Sequence, residues 1–340
     1  MSDGQGPQSA HDLGLMRGFP PPRDQQVTHA NQLYAPYNRW SFQHELQLNH
    51  TVDVWRGDGP VARLDSAAFD LDRVTYQNRA GTQFTFRDMV EMSYTDGIVV
   101  LHQGKIIYEA YLNGMQPHTL HAWASGSKSM TGVLAAMLAH EGALDPDATV
   151  TAYLPELDSS GFGDATVRQV MDMTTAVWFC DDDVDPVSEN LTYAMALGWR
   201  ERPADYAGPD SVYEFLPSMK KAGEHGTRFA YLTPNTDVLA WIMKRLLNRS
   251  LAEIMQERIW SRLGAERDAF WIVDPATAET SGSGLLSTLR DKARFGQMLL
   301  ERGHFNGQQI VPAGVIDDIE QGGDREAFAR GPAASPMNQG

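Results

Sequence analysis

The stretch ASGSKSM, residues 124–130, places a serine and a lysine three positions apart, ahead of an apolar, alanine-rich segment, TGVLAAMLAH, over residues 131–140. The apolar segment predicts a helix. Ser125 and Lys128 would then share one helical face, with their Cβ atoms roughly 5–6 Å apart. A hydroxyl becomes nucleophilic when a neighbouring base takes its proton. The first helical turn also offers free N–H groups to an oxyanion. The stretch therefore makes Ser125 a candidate nucleophile and Lys128 its candidate base.

The spacing alone does not identify a site, because the chain has a second Ser-x-x-Lys, SMKK, at residues 218–221. Ser218 precedes a polar loop, whereas Ser125 stands before an apolar helix and after a predicted pair of strands. The competing interpretation of Ser125 is a helix N-cap, a position that serine often fills.

Composition bounds the class of protein. The chain has 340 residues, of which 42% are hydrophobic, and a net charge of -16, with a pI of about 5.0. This predicts one large domain or two closely joined domains, and the acidic balance argues against nucleic-acid binding. No apolar stretch approaches the roughly 18–20 residues of a membrane span, and residues 1–30 lack a signal-peptide pattern. A cytoplasmic protein is expected, and the single Cys180 excludes an internal disulfide.

Local patterns predict several elements around the Ser-x-x-Lys stretch. The β-branched runs IVVL (98–101) and IIYEAY (106–111) flank a Gln-Gly-Lys turn, which predicts a hairpin. Residues 288–301 have a helical pattern, and IVP (310–312) predicts an edge strand. Residues 1–36 are rich in Pro, Gly, Gln and Asp and predict a loose arm.

A tyrosine precedes another predicted helix, TDVLAWIMKRLLN at residues 236–248. Thr233 as N-cap and Pro234 at the first helical position are start signals. These signals place Tyr231 just before the helix. The alternative interpretation of Tyr231 is an ordinary half-buried side chain.

Two polar segments lack the features of an ion or phosphate site. The acidic run DDDVD, residues 181–185, has no glycine where a calcium loop requires one, and a solvated loop is favoured. The run SGSGLLS, residues 281–287, lacks the lysine of a phosphate-binding loop, and a strand with close backbone approach is favoured. No metal and no cofactor are expected.

Several motifs together resemble the serine β-lactamase and penicillin-binding superfamily. They are Ser125-x-x-Lys128, the tyrosine before a helix, and Gly-x-Gly-Leu-x-Ser-Thr-x-x-Asp at residues 282–291. The chain is most similar to the nylon-oligomer hydrolase branch (6-aminohexanoate-dimer hydrolases). That similarity covers roughly residues 38–328 and is carried by the motifs NRWSF (38–42), VARLD (61–65), YLPEL (153–157), QVMDM (169–173), GWR (198–200), NTDVLAWI (235–242) and DREA (324–327).

The resemblance implies an α+β fold in which an antiparallel sheet is flanked by helices and interrupted by a mainly helical domain. The implied division is a flexible arm (1–36), an α/β sandwich (37–165 and 271–330), a helical domain (166–270) and a disordered tail (331–340). The active site would lie between the two domains.

By the same resemblance, each candidate residue has a role. Ser125 is the nucleophile, Lys128 the neutral base, and Tyr231 the relay that gives a proton to the leaving group. The Ser125 backbone N–H would be one oxyanion donor. Such a site makes an acyl-enzyme that water later cleaves.

The chain departs from the family pattern in two ways. The pattern continues well past the DREA segment with late strands, a third motif and a second oxyanion donor. We therefore expect an incomplete sheet and a truncated form with weak or no activity. The family's substrate-binding residues align with Asp183, Ala194 and Gly282, and none is kept. Asp183, Gly282 and the adjacent Ser283 are the expected substrate-binding residues. Because the family's own residues are absent at these positions, an ester substrate is favoured over the amide dimer.

The function expected from the sequence is a serine hydrolase acting on small linear amides or carboxylic esters. One alternative is a β-lactamase or D-alanyl peptidase. The other is a truncated relative that binds acyl ligands without turnover. The expected partner is a small-molecule substrate, with no nucleic acid and no membrane, and a homodimer is a candidate assembly.

Overall fold

A computed structural model of the chain describes residues 7–180 and 188–332. The helices in these ranges are α1 (Asn38–Ser41), α2 (Glu45–Leu48), α3 (Phe86–Met92), α4 (Ser127–His140), α5 (Val150–Tyr153), α6 (Val167–Met171), α7 (Glu189–Ala196), α8 (Val212–Ser218), α9 (Thr233–Leu247), α10 (Leu251–Met255), α11 (Ser261–Leu263), α12 (Leu289–Leu300), α13 (Ala313–Gln321) and α14 (Arg325–Arg330). The strands are β1 (Thr51–Val54), β2 (Thr75–Gln77), β3 (Gln83–Thr85), β4 (Gly97–His102), β5 (Lys105–Tyr111), β6 (His121–Ala122), β7 (Ala269–Ile272), β8 (Leu285–Ser287), β9 (His304–Phe305) and β10 (Gln308–Gln309).

The central sheet is antiparallel, with strand order β1-β7-β8-β6. Leu286 of β8 is aligned with Phe270 on one side and with Ala122 on the other. All three residues of β8 are buried, as an inner strand covered on both faces requires. Because β6 ends at Ala122, this sheet delivers the chain directly to the Ser-x-x-Lys stretch.

Helices follow between β6 and β7, and α4 is the one at their centre. Its side chains Met130, Leu134 and Leu138 are fully buried at the spacing of one helical stripe. It packs against α9 on one side and α13 on another. Every named element from α4 to α11 in the described part of this region is helical, and π-helical residues Gln256–Trp260 join α10 to α11. The predicted α+β fold with an antiparallel sheet and inserted helices is confirmed, while the domain boundaries stay predictions.

The hairpin predicted around the Gln-Gly-Lys turn is confirmed as β4 and β5, with an irregularity between Val100 and Leu101. The edge strand expected at residues 310–312 is wrong. The last pairing ends at Gln309, and the Ile310 and Val311 N–H groups donate instead to the Gly303 carbonyl, at 2.8 and 3.1 Å. This local bond satisfies the backbone while both side chains are buried.

The loose arm expected for residues 1–36 is corrected over residues 7–36, which are packed against the body of the protein. Ala10, Leu15 and Val27 are buried and contact Tyr37 and Trp40. The few apolar residues in this polar segment form a small core of their own, which composition averaged over the segment does not reveal. Residues 1–6, and all of the expected tail beyond residue 332, lie outside the described residues.

No helix in the described ranges combines the length and the apolar character that crossing a membrane requires.

Candidate active site

Ser125 lies in a short 3₁₀ turn, Ala124–Gly126, between β6 and α4. The helix itself begins at Ser127, so Ser125 stands just before the first helical turn that the sequence predicted for it. Ala124 has a φ of 45°, which strains a residue that carries a Cβ atom. Strained backbone of this kind is often retained at functional sites. The turn leaves Ser125 exposed.

Ser127 fastens this turn to the sheet. Its Oγ donates to the Ala124 carbonyl at 2.7 Å and accepts from the Leu285 N–H at 3.1 Å. The Trp123 N–H donates to the Leu285 carbonyl at 2.8 Å, and its indole N–H donates to Ser287 Oγ at 2.7 Å. Strand β8 therefore holds the Ser125 turn from both sides. Ser127 was not among the predicted site residues. The helical period of the sequence could have identified it, because it places Ser127 on the same buried face of α4 as Met130 and Leu134.

Lys128 brings two of the predicted residues together. Its Nζ lies 3.1 Å from Ser125 Oγ and donates to the Gly282 carbonyl at 2.8 Å. An uncharged amine has both donors and a lone pair. It can therefore donate to Gly282 and accept the Ser125 proton at the same time.

The Tyr231 ring lies beside the same amine. The Lys128 Nζ is 5.0 Å from the centre of the Tyr231 ring, and the tyrosine is 54% exposed. Helix α9 begins two residues later, with Pro234 in its first turn as expected. The expected Thr233 cap is wrong, because Thr233 is already helical and the N-cap, Leu232, makes no side-chain bond.

Gly282 contacts Lys128 through its backbone carbonyl. A Cβ atom there would lie 2.5 Å from Thr233 Cγ2 and 3.5 Å from Lys128 Nζ. The close approach to Thr233 explains the glycine, because a Cβ atom at this position would force Thr233 or the Gly282 segment to shift. The predicted role of Gly282 in substrate binding stays a prediction.

Ser283 lies beside a small cavity of about 120 Å³, which is also lined by Ala124, Trp199 and Ile272. Its Oγ and the Trp199 indole nitrogen are buried and have no hydrogen-bond partner among the residues that the structure describes. The cavity reaches the Ser125 turn through Ala124. Asp183, the third predicted substrate-binding residue, lies outside the described residues.

Two buried ionisable side chains, Asp237 and Lys292, lie close to the site. Burial raises the pKa of Asp237 to about 6, and hydrogen bonds from Ser281 and Tyr193 oppose this shift. Burial lowers the pKa of Lys292 to about 7. The Lys292 Nζ donates to the Ala122 carbonyl at 2.9 Å, directly before the Ser125 turn. Neither residue was singled out from the sequence.

Among the described residues, no three His, Cys, Asp or Glu side chains are grouped as metal ligands would be. The chemistry that the site can support is that of a hydroxyl, an amine and a phenol.

Comparisons with known proteins place the chain in a family. A model of the beta-lactamase family matches residues 85–328. A 6-aminohexanoate-dimer hydrolase from Paenarthrobacter ureafaciens is 36% identical over 299 residues, which is 86% of this chain and 72% of that protein.

Solved structures agree with the family match. A structure from Bacillus anthracis, named provisionally as a 6-aminohexanoate-dimer hydrolase, is 35% identical and has a TM-score of 0.82. The similarity covers 88% of this chain and 78% of that one. EstCE1, described as a hydrolase with promiscuous acyltransferase activity, is 14% identical with a TM-score of 0.55, over 70% of this chain and 74% of its own. At that identity the likeness concerns the fold alone.

Proposed function

The chain belongs to the β-lactamase family of serine hydrolases, and we propose that it transfers an acyl group from a small linear amide or carboxylic ester to Ser125 and then to water. The observation that carries the proposal is the position of the Lys128 amine, between Ser125 Oγ at 3.1 Å and the Gly282 carbonyl at 2.8 Å. Fixed at that distance, the amine can remove the hydroxyl proton as the bond to the acyl carbon forms.

The proposed reaction has two halves. In the first, Ser125 Oγ bonds to the acyl carbon and its proton passes to Lys128 Nζ. The Tyr231 hydroxyl then gives a proton to the leaving nitrogen or oxygen and regains one from Lys128, as the acyl–leaving-group bond breaks. In the second half, water attacks the acyl-enzyme, and its proton follows the reverse path to restore Ser125. The Ser125 backbone N–H would stabilise the oxyanion in both halves.

The small cavity beside Ser283 narrows the proposed substrate class. The cavity is small, about 120 Å³, and Ser283 and Trp199 are among its lining residues. We expect it to receive the acyl chain of the substrate, and the Trp199 N–H could donate to a polar end group. The name of the Paenarthrobacter relative makes the linear 6-aminohexanoate dimer the first amide to test.

The second Ser-x-x-Lys of the chain supplies a matched control for the nucleophile. Purified wild type, Ser125→Ala and Ser218→Ala are treated with a fluorophosphonate probe and assayed with p-nitrophenyl acetate and the 6-aminohexanoate dimer. We expect labelling and turnover in wild type and Ser218→Ala and neither in Ser125→Ala. Equal labelling of Ser125→Ala and wild type would reject the assignment.

Acyl-chain selectivity is tested with p-nitrophenyl acetate, butyrate and octanoate. We expect the butyrate ester to be hydrolysed with a higher kcat/KM than the octanoate ester, because a small cavity favours a short acyl chain. A Ser283→Leu variant, which fills the cavity, should lower kcat/KM for butyrate more than for acetate. Equal values for all three esters in wild type would remove the cavity from the proposal.

A β-lactamase or D-alanyl peptidase activity is the second candidate, and the family match favours it. Nitrocefin separates the two, since a linear-substrate hydrolase should open it at less than about a hundredth of its ester rate. A third outcome, one labelled site per chain with no release of product, would indicate an acyl-binding protein without turnover.

A further inference from the structure

A buried carboxyl group lies behind the candidate active site. Asp237, on α9, is 3% exposed. Its Oδ1 accepts from Ser281 Oγ at 2.6 Å, and its Oδ2 accepts a short hydrogen bond from the hydroxyl of Tyr193. Ser281 is fully buried and Tyr193 nearly so. Two hydroxyl groups from separate parts of the chain therefore hold this carboxyl in one orientation.

The segment Ser281–Gly282 connects Asp237 to Lys128. Ser281 is followed directly by Gly282, whose carbonyl accepts from Lys128 Nζ at 2.8 Å. The Ser281 carbonyl accepts from Thr131 Oγ1 at 3.1 Å, one helical turn after Lys128. Helix α4 thus binds two successive carbonyls of this segment, and Asp237 binds the Ser281 side chain between them and α9.

Two charged groups also act on the carboxyl of Asp237. Burial raises the pKa of Asp237 to about 6, the charge of Lys128 opposes this shift, and the charge of Asp274 adds to it. The carboxyl of Asp237 is therefore linked to the active-site lysine by charge as well as through Ser281.

We propose that Asp237 is a positioning residue for the reaction proposed above. Through Ser281 it fixes the segment whose Gly282 carbonyl holds the Lys128 amine beside Ser125. Its role is comparable to that of the buried aspartate in a Ser-His-Asp triad, which orients the base. Here the carboxylate acts through the Ser281–Gly282 peptide rather than by touching the base.

The test uses Asp237→Asn, which preserves size and one acceptor and removes the charge. We expect kcat for p-nitrophenyl acetate to fall about 10- to 100-fold per active site, less than the roughly 10⁴-fold loss that follows when the affected carboxylate touches the base directly. KM should change less than about threefold, because Asp237 does not contact substrate. Active sites are counted with the fluorophosphonate probe, so that loss of folded protein does not lower the result.

Asp274→Asn is the matched control. Asp274 is equally buried and accepts from the N–H groups of Val212, Ala276 and Ala278, yet its hydrogen bonds do not reach the peptide of Gly282. It should lower the melting temperature while kcat per titrated site stays within about twofold of wild type. A structural role alone for Asp237 would give this same pattern.

Ser281→Ala provides a second, independent measurement. It removes the hydroxyl that joins Asp237 to the peptide, and we expect a fall in kcat with little change in KM. Should Asp237→Asn fail to fold, Ser281→Ala decides the question. A wild-type kcat per titrated site in the folded variant, while Ser125→Ala is inactive, overturns the role of Asp237 and leaves the proposed function standing. Unchanged labelling of Ser125→Ala overturns the proposed function itself.

Discussion

The chain carries the same Ser-x-x-Lys spacing in two places, and the two serines stand at opposite ends of a helix. Ser125 precedes α4, and the helix continues through Lys128, whose amine reaches Ser125 Oγ at 3.1 Å. Ser218 is the last residue of α8, which contains Pro217, and its hydroxyl donates to the Phe215 carbonyl at 2.6 Å. The spacing brings serine and lysine together only where the helix continues.

The two lysines also differ in their partners. Lys221 forms an ion pair with the carboxylate of Asp164. Lys128 donates to the Gly282 carbonyl, a partner that carries no net charge. The same Ser-x-x-Lys spacing therefore holds its amine against a serine hydroxyl and a backbone carbonyl in one motif and against a carboxylate in the other.

The largest expected effect comes from removing each lysine in turn. Lys128→Ala should lower kcat/KM for p-nitrophenyl acetate by about 10²–10⁴-fold, because the hydroxyl loses its base. Lys221→Ala should stay within about twofold of wild type, since its ion pair is exposed. Steady-state kinetics on both variants checks this, and similar losses in the two would break the contrast between the motifs.

A smaller effect is expected when Gly282 gains a methyl group. Gly282→Ala places a Cβ atom 2.5 Å from Thr233 Cγ2, so Thr233 or the segment that carries the Gly282 carbonyl must shift. We expect a loss of about 1–3 kcal/mol in the free energy of unfolding and a kcat about 10- to 100-fold lower.

Gly296→Ala is the control for this change, because a Cβ atom at that position in α12 meets nothing within 4 Å. It should stabilise the helix by roughly 0.5–1 kcal/mol and leave kcat unchanged. Equal kcat values for Gly282→Ala and wild type would show that the carbonyl contact does not position the amine.

The pH dependence of stability should separate the carboxyl groups of the two regions. Burial raises the pKa of Asp237 from 3.8 to about 6. The native state therefore keeps a proton that the unfolded state has already lost, and stability from this group falls as pH rises through that window. Relative to wild type, Asp237→Asn should gain up to about 3 kcal/mol between about pH 4 and pH 7.

Asp164 should show the opposite sign. The hydrogen bond from Lys221 lowers its pKa, so its contribution is present above the unfolded pKa and disappears as pH falls. Asp164→Asn should therefore become less stable relative to wild type as pH rises, by a small amount because the pair is exposed. Thermal unfolding across a pH series measures both differences, and parallel slopes for the two variants would contradict the contrast.

Short-range features of this protein follow from the sequence. The apolar period of residues 131–140 predicts α4, and the Gln-Gly-Lys turn predicts the β4–β5 hairpin; both are present. These elements depend on neighbours a few residues apart, whose geometry is repeated in every helix or hairpin. The family motifs add the α+β class and the candidates Ser125, Lys128 and Tyr231.

The surroundings of those candidates depend on contacts between distant segments. The Gly282 carbonyl meets Lys128 across 154 positions of the chain, and the Leu285 N–H meets Ser127 across 158. In the sequence, Asp237 is simply one polar residue in a helical pattern. Only in the folded protein do Tyr193 of α7 and Ser281 donate hydrogen bonds to its carboxylate.

The sequence by itself determined that a serine and a lysine stand one turn apart beside an apolar helix, because local backbone geometry is the same wherever a helix forms. Only the tertiary structure decided that the lysine donates to a carbonyl and that a buried carboxylate lies behind it. Hydrogen bonds and burial between distant segments exist only after the chain has packed, and no local pattern specifies them.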